Sequence, residues 1–224
     1  MNMGLTPKLK RSPQDNLVIA VDGPAASGKG TIARALASHY GLPHMDTGLL
    51  YRAAALNLWR WGGDPGNEFE AVRAARDLNL DAEDPELRSE PVSKIASAIS
   101  AYPEVRGVLL KRQKDFAQQS GGAVLDGRDI GTVIAPEAQV KLFVTASAEV
   151  RAERRMRELE GRGMHATYED VLADIHARDE RDSNREAAPL RQASDALRLD
   201  TSGMNVEEAV AEALRIVEDR LASV

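Results

Sequence analysis

Residues 17–31, LVIAVDGPAASGKGT, set the architecture of the chain. Leu17 to Asp22 is a continuous apolar run stopped by Gly23-Pro24, the pattern of a fully buried strand. From Lys29 to Tyr40 apolar residues recur at helical spacing until Gly41 and Pro43 end the run, so a helix is expected there. Strand, glycine-rich turn and helix in that order make a phosphate-binding loop. Gly23, Gly28 and Gly30 let the backbone close on an anion, with Pro24, Ala25, Ala26 and Ser27 completing the turn. The free N–H groups of the helix start point at that anion, Lys29 reaches the β- and γ-phosphates of a nucleotide, and Thr31 holds Mg²⁺.

The rest of the chain repeats the alternation of strand and helix. Helices are expected over Gly48–Trp61, Glu68–Leu78, Pro91–Ala101 and Pro103–Gln119, with an acidic loop over Asp81–Pro91. Short apolar runs at Ala123–Asp126, Val140–Val144 and Ala196–Asp200 are expected strands. Helices over Ser147–Glu160, from Thr167 to about Arg185, and from Asn205 (a capping box with Glu208) to about Leu221 separate or follow them. This order implies an α/β fold, a parallel sheet flanked by helices, with ligands at the carboxyl ends of the strands.

With 224 residues the chain is long enough for one core carrying small inserted lobes. It has no Cys, which excludes disulfides, thiol catalysis and Cys-based zinc sites. No apolar run approaches the roughly 20 residues of a membrane span, and the polar N-terminal stretch lacks a signal-peptide core; a soluble, cytoplasmic protein with no membrane partner is expected. A net charge of -6 argues against a nucleic-acid polymer as partner. Within that acidic total, residues 151–198 hold ten Arg and no Lys. The planar guanidinium suits bidentate phosphate contacts, although solvated helix faces explain most such Arg equally well.

The loop departs from the generic GK[ST] form, because Gly30 stands between Lys29 and Thr31. That GKGT ending resembles nucleoside monophosphate kinases. Four blocks extend the likeness: IAVDGPAASGKGT (19–31), MDTGLLYR (45–52), DGRDIGTVIAP (126–136) and RDERDSNREAAPL (178–190). In order, they resemble the successive signatures of bacterial cytidylate kinases over nearly the whole chain. The resemblance implies a P-loop kinase that moves a phosphoryl group from ATP to CMP or dCMP with Mg²⁺. Its implied organisation is a tail (1–15) and one domain (16–224), with core segments 16–46, 121–154 and 164–224. An acceptor-binding lobe would span about 47–120 and a lid about 155–163.

Phosphoryl transfer asks for charge neutralisation and in-line positioning, which Lys, Mg²⁺ and several Arg supply. The resemblance assigns Arg52, Arg128 and Arg185 to the acceptor's phosphate and Lys29 to the donor's, with Lys29, Arg128 and Arg185 catalytic. Asp126 resembles the carboxylate that acts on Mg²⁺ through water; a turn-capping Asp is the alternative. Around the base the resemblance puts Ser97, Arg106 and Asp129. A carboxylate accepting from the cytosine amino group, beside an Arg donating to N3 or O2, reads cytosine and repels uracil. A mismatch costs about 1–3 kcal/mol per contact, and two give selectivity of order 10².

Arg178, Asp182 and Arg185 lie at i, i+4 and i+7, on one helix face. An intrahelical Arg178–Asp182 ion pair, worth about 0.3–0.5 kcal/mol, would explain the first two alone. The resemblance instead implies that they hold the acceptor sugar, with Thr47 and Tyr51 lining the same pocket. The Arg151, Arg154, Arg155 and Arg157 cluster before Gly161 and Gly163 resembles a lid; Arg154, Arg155 and Arg157 are its site candidates. His39, His44, His165 and His176 are expected at the surface or in packing, and Trp59 and Trp61 in the core and rim of the acceptor lobe. Where the family has a small antiparallel sheet in that lobe, residues 64–90 here read as helical and acidic. A monomer is expected. The rivals are a UMP or AMP kinase, or a nucleotide-dependent switch without a second anion site.

Overall fold

The computed structural model describes residues 16–223; the expected tail over residues 1–15 lies outside the described residues. Strand β1 (Val18–Asp22) leads through the glycine-rich turn into α1 (Lys29–Tyr40). Strand β2 (His44–Asp46) and helices α2 (Gly48–Arg60), α3 (Glu68–Arg76), α4 (Glu90–Ile99) and α5 (Pro103–Ala117) follow. The chain returns through β3 (Ala123–Gly127), a short wide helical turn (Ile130–Ile134) and β4 (Val140–Thr145). Helix α6 (Ala148–Glu160), α7 (Tyr168–Asn184), β5 (Leu197–Asp200) and α8 (Val206–Ala222) complete it.

The five strands pair in parallel in the order β2-β3-β1-β4-β5, the expected α/β layering. Side chains of β1 alternate between two apolar layers. Ile19 and Val21 pack with Ile32 and Leu36 of α1 and Val217 of α8, while Ala20 packs with Leu125 and Ile130 on the other face. From β1 the chain moves to one side for β2 and β3 and to the other for β4 and β5, so a crevice opens at the carboxyl end of β1. The phosphate loop starts there.

Helices α2 to α5 enclose a separate apolar centre, with Leu58, Leu87, Ile99 and Leu109 fully buried. No strand forms between residues 47 and 120; the acidic segment is α3 and a 3-10 turn at Pro85–Arg88 started by Asp84, whose side chain accepts from Glu86 N–H. That turn lies inside what the sequence suggested was loop. Two other elements escaped the pattern. β2, only three residues long, shows no periodicity and exists because β3 offers it an edge, and the 130–134 turn, closed by local backbone bonds, is capped by tertiary hydrogen bonds described below. Trp59 corrects a core expectation: it is 49% exposed and Trp61 48%, with Arg73 stacked over the Trp61 ring.

Candidate active site

The loop between β1 and α1 is built by close approach. A Cβ at Gly23 would lie 2.0 Å from the Val144 carbonyl oxygen of β4, so only glycine lets the chain turn there. Gly28, at φ +88°, caps α1, and its carbonyl accepts from Thr31 and Ile32 N–H. Lys29 lies in the cleft with its Nζ 3.3 Å from the Pro24 carbonyl oxygen. Burial, then the charge of Arg128, push the ammonium down to about 7, a cost that an anion in the loop would relieve. The Thr31 hydroxyl accepts weakly from Arg34, at 3.4 Å. Asp126, one residue from the end of β3, lies beside Asp46 of β2 and faces Gly30, with Oδ2 3.6 Å from the place a Cβ would occupy.

His44 does more than pack. Its Nε2 lies 2.7 Å from Asp126 Oδ1, and the carboxylate requires this nitrogen to carry the proton and donate. No local pattern signals this pair, since 82 residues separate the partners. Asp22, the last residue of an apolar strand, likewise carries no sequence signal of a role. It is 4% exposed and accepts from the N–H groups of Ile130 (2.7 Å) and Gly131 (2.8 Å).

All ten residues assigned to the acceptor line one pocket, reached from α2, α4, α5, α7 and the turn after β3. Gly127 makes room at its floor: a Cβ there would lie 2.5 Å from the Thr47 hydroxyl, which donates to the Asp126 carbonyl (2.9 Å). Arg106 and Asp129 are hydrogen-bonded in that pocket, and the Arg106 guanidinium lies 5.6 Å from the Tyr51 ring centroid. Asp182 accepts from Arg128 Nε at 2.8 Å and lies 4.0 Å from Arg178 and 3.9 Å from Arg185. Its closest partner therefore comes from across the fold, and the Arg178–Asp182 pair within α7 is the weaker contact.

This cluster carries more positive charge than it can neutralise. Burial, then the charge of Arg128, push Arg178 down to about 9; burial and then Arg155 push Arg52 to about 10. Three buried polar atoms, Ser97 Oγ, Arg178 Nε and Arg185 Nη2, have no hydrogen-bond partner. Arg52 and Arg178 both reach the Ser93 hydroxyl, at 3.1 and 3.5 Å. A compact anion beside these guanidiniums would satisfy both the charge and the stranded donors.

The arginines of α6 part company. Arg151 is buried and binds Asp179 and the Ala146 carbonyl, and Arg154 donates to Thr201 Oγ1 (2.9 Å) and the Thr201 carbonyl (2.7 Å); both brace the core. Arg157 is 71% exposed beside Glu153. Arg155 alone of the four faces the large cleft over the phosphate loop, held by Glu90 and Glu158.

The family model described as cytidylate kinase matches residues 19–219. A cytidylate kinase of Xanthobacter autotrophicus is 60% identical over 92% of this chain and 99% of its own length. One from Azorhizobium caulinodans is 57% identical over 90% and 98%. Among solved structures, a gluconokinase from Sinorhizobium meliloti superposes with a TM-score of 0.52 at 17% identity, covering 93% of this chain and 94% of its own. An uncharacterized protein from Eubacterium ventriosum gives 0.54 at 13% identity, covering 90% and 98%. At these identities the structural likenesses speak for the fold alone.

Proposed function

The chain belongs to the cytidylate kinase family, and from that premise we propose how its ATP-dependent phosphorylation of CMP is divided among its residues. The observation that carries the assignment is the pocket in which a hydrogen-bonded Arg106–Asp129 pair adjoins a surplus of buried guanidinium. The pair presents the donor and acceptor that cytosine requires, and the guanidiniums of Arg52, Arg128 and Arg185 suit a phosphate. Ser97 adds a hydroxyl with no partner of its own at the base end. Arg178 and Asp182 take the sugar through groups that do not demand a 2′-hydroxyl, so dCMP is a second acceptor.

ATP occupies the loop from Gly23 to Thr31, with Lys29 on its terminal phosphates. The oxygen donors Thr31 and Asp126 line the same cleft, Asp126 facing Gly30, and would hold Mg²⁺, Thr31 directly and Asp126 through water. The ion would supply Lewis-acid charge neutralisation on the phosphate oxygens. Arg128 and Arg185 stabilise charge on the transferring group while the pocket aligns the acceptor oxygen with it. No covalent intermediate is needed. The segment near residues 155–163 serves as a lid, with Arg155 brought over the triphosphate and water excluded. Residues about 47–120 serve as the acceptor lobe. The protein acts as a cytoplasmic monomer on small nucleotides, a reading that the net charge of -6 supports against a nucleic-acid polymer or an anionic membrane surface. Among the described residues no helix is long and apolar enough to cross a membrane.

The test is ADP release with CMP, dCMP, UMP and AMP, with and without Mg²⁺, repeated for Asp129→Ala. Preference for the two cytidine nucleotides is expected, together with a roughly tenfold or greater fall in the CMP:UMP kcat/KM ratio for the variant. An unchanged ratio would remove Asp129 from base reading.

A further inference from the structure

Asp129 is the residue that precedes the helical turn Ile130–Ile134, and an aspartate there normally bends back to accept the turn's first free N–H groups. Here its side chain caps nothing; it faces Arg106, and Arg185 lies 3.7 Å away. The capping is done by another residue. Asp22, at the end of β1, takes the Ile130 N–H on one oxygen and the Gly131 N–H on the other, from a position directly beside Gly127 in the sheet register. We propose that Asp22 is a specificity-positioning residue: by capping the 130–134 turn from the neighbouring strand, it frees the Asp129 carboxylate to face the nucleotide base.

The exchange is energetically consequential. The two N–H groups are buried, and each would otherwise need an acceptor. For the Gly131 N–H the nearest substitute is Asp129 itself, because a residue in the N-cap position reaches the N–H two residues on. A carboxylate that turned back to make that bond would leave Arg106 and the pocket. Burial raises the Asp22 carboxyl to about 7, opposed by the two N–H bonds; the charge of Asp129 pushes it up further and that of Arg128 pulls it down. The space around it is tight, since a Cβ at Gly131 would lie 3.3 Å from Asp22 Oδ2 and 3.1 Å from the Lys141 side chain. A bulkier side chain on either side of this contact would displace the carboxylate from the two N–H groups. Because the same residue begins the turn into Gly23, one aspartate fixes the start of the donor loop through its backbone and the base-reading residue through its side chain.

This inference rests on Asp129 reading the base, so the experiment separates the two. Asp22→Asn keeps the size but sets an NH₂ group against one backbone N–H. We expect it to raise KM for CMP and to lower the CMP:UMP kcat/KM ratio, each about fivefold or more, while KM for ATP moves less than twofold. In the Asp129→Ala background the same change should leave the ratio where Asp129→Ala alone put it. Unchanged CMP kinetics, an equal loss for ATP and CMP, or an undiminished effect in the Asp129→Ala background would overturn the proposal. If Asp129→Ala alone leaves the ratio unchanged, base reading by Asp129 fails instead. The capping is then decided by hydrogen exchange at the Ile130 and Gly131 amides, where unaltered protection in Asp22→Asn overturns it and faster exchange upholds it. Should Asp22→Asn not fold, Asp22→Ser, whose hydroxyl can accept one N–H, undergoes the same measurements with the same outcomes.

Discussion

Replacing Asp182 by Asn removes a carboxylate that Arg128, Arg178 and Arg185 share without altering the volume of the site. Asp182 is 4% exposed, bonds Arg128 at 2.8 Å and has the other two guanidiniums within 4.0 Å. Breaking a buried pair by deleting one charge costs about 3–5 kcal/mol. The amide retains one acceptor for Arg128, which favours the lower end, about 3 kcal/mol. For a domain of this size each kcal/mol moves the melting temperature by about 2–4 °C, so a fall of roughly 6–12 °C is expected at neutral pH and low salt. The sign with pH follows from the carboxyl itself. Burial raises it, but the charges of Arg128 and Arg178 outweigh burial and hold it below the ordinary value. Its stabilisation is therefore present above about pH 4 and is lost as pH falls through the lowered folded value, so the two proteins should converge in acid. Inorganic phosphate, an anion for the same arginines, should raise the variant's melting temperature more than the wild type's. Thermal melting by circular dichroism measures all three. A variant that melts within about 2 °C of the wild type at pH 7 without added anion would refute the charge accounting.

Two further outcomes follow from the geometry. Arg155→Gln should lower kcat about tenfold or more and Arg157→Gln less than twofold, because only the former faces the cleft; equal effects in steady-state assays would detach the lid role from Arg155. The carboxyl of Asp22, at about 7 in the folded protein against 3.8 ordinarily, contributes stability that is full below about pH 4 and lost as pH rises to about 7. Denaturant unfolding across that window should show a flatter decline for Asp22→Asn than for the wild type, and parallel curves would contradict the buried-carboxylate account.

The phosphate loop was legible in the sequence because its parts are local. The apolar strand, the glycines that permit close backbone approach, Lys29 and the helix start all lie within fifteen residues, and the structure assembles them as adjacency dictates. The capping box at Asn205 and Glu208 was legible for the same reason. The acceptor residues were found through the likeness of whole blocks, since Thr47, Ser97, Arg106, Asp129 and Arg185 come from separate elements and no spacing rule joins them.

Local pattern thus dictated the alternation of strands and helices, the donor loop and the absence of cysteine chemistry. Tertiary structure alone selected partners among groups distant in the chain. It gave Asp182 to Arg128 rather than chiefly to its helical neighbour Arg178, set His44 against Asp126, turned Arg155 but not Arg157 to the cleft, and let Asp22 cap a turn more than a hundred residues away. The physical reason is that a buried charge or donor is stable only when something satisfies it, and which group can do so depends on which strands lie side by side.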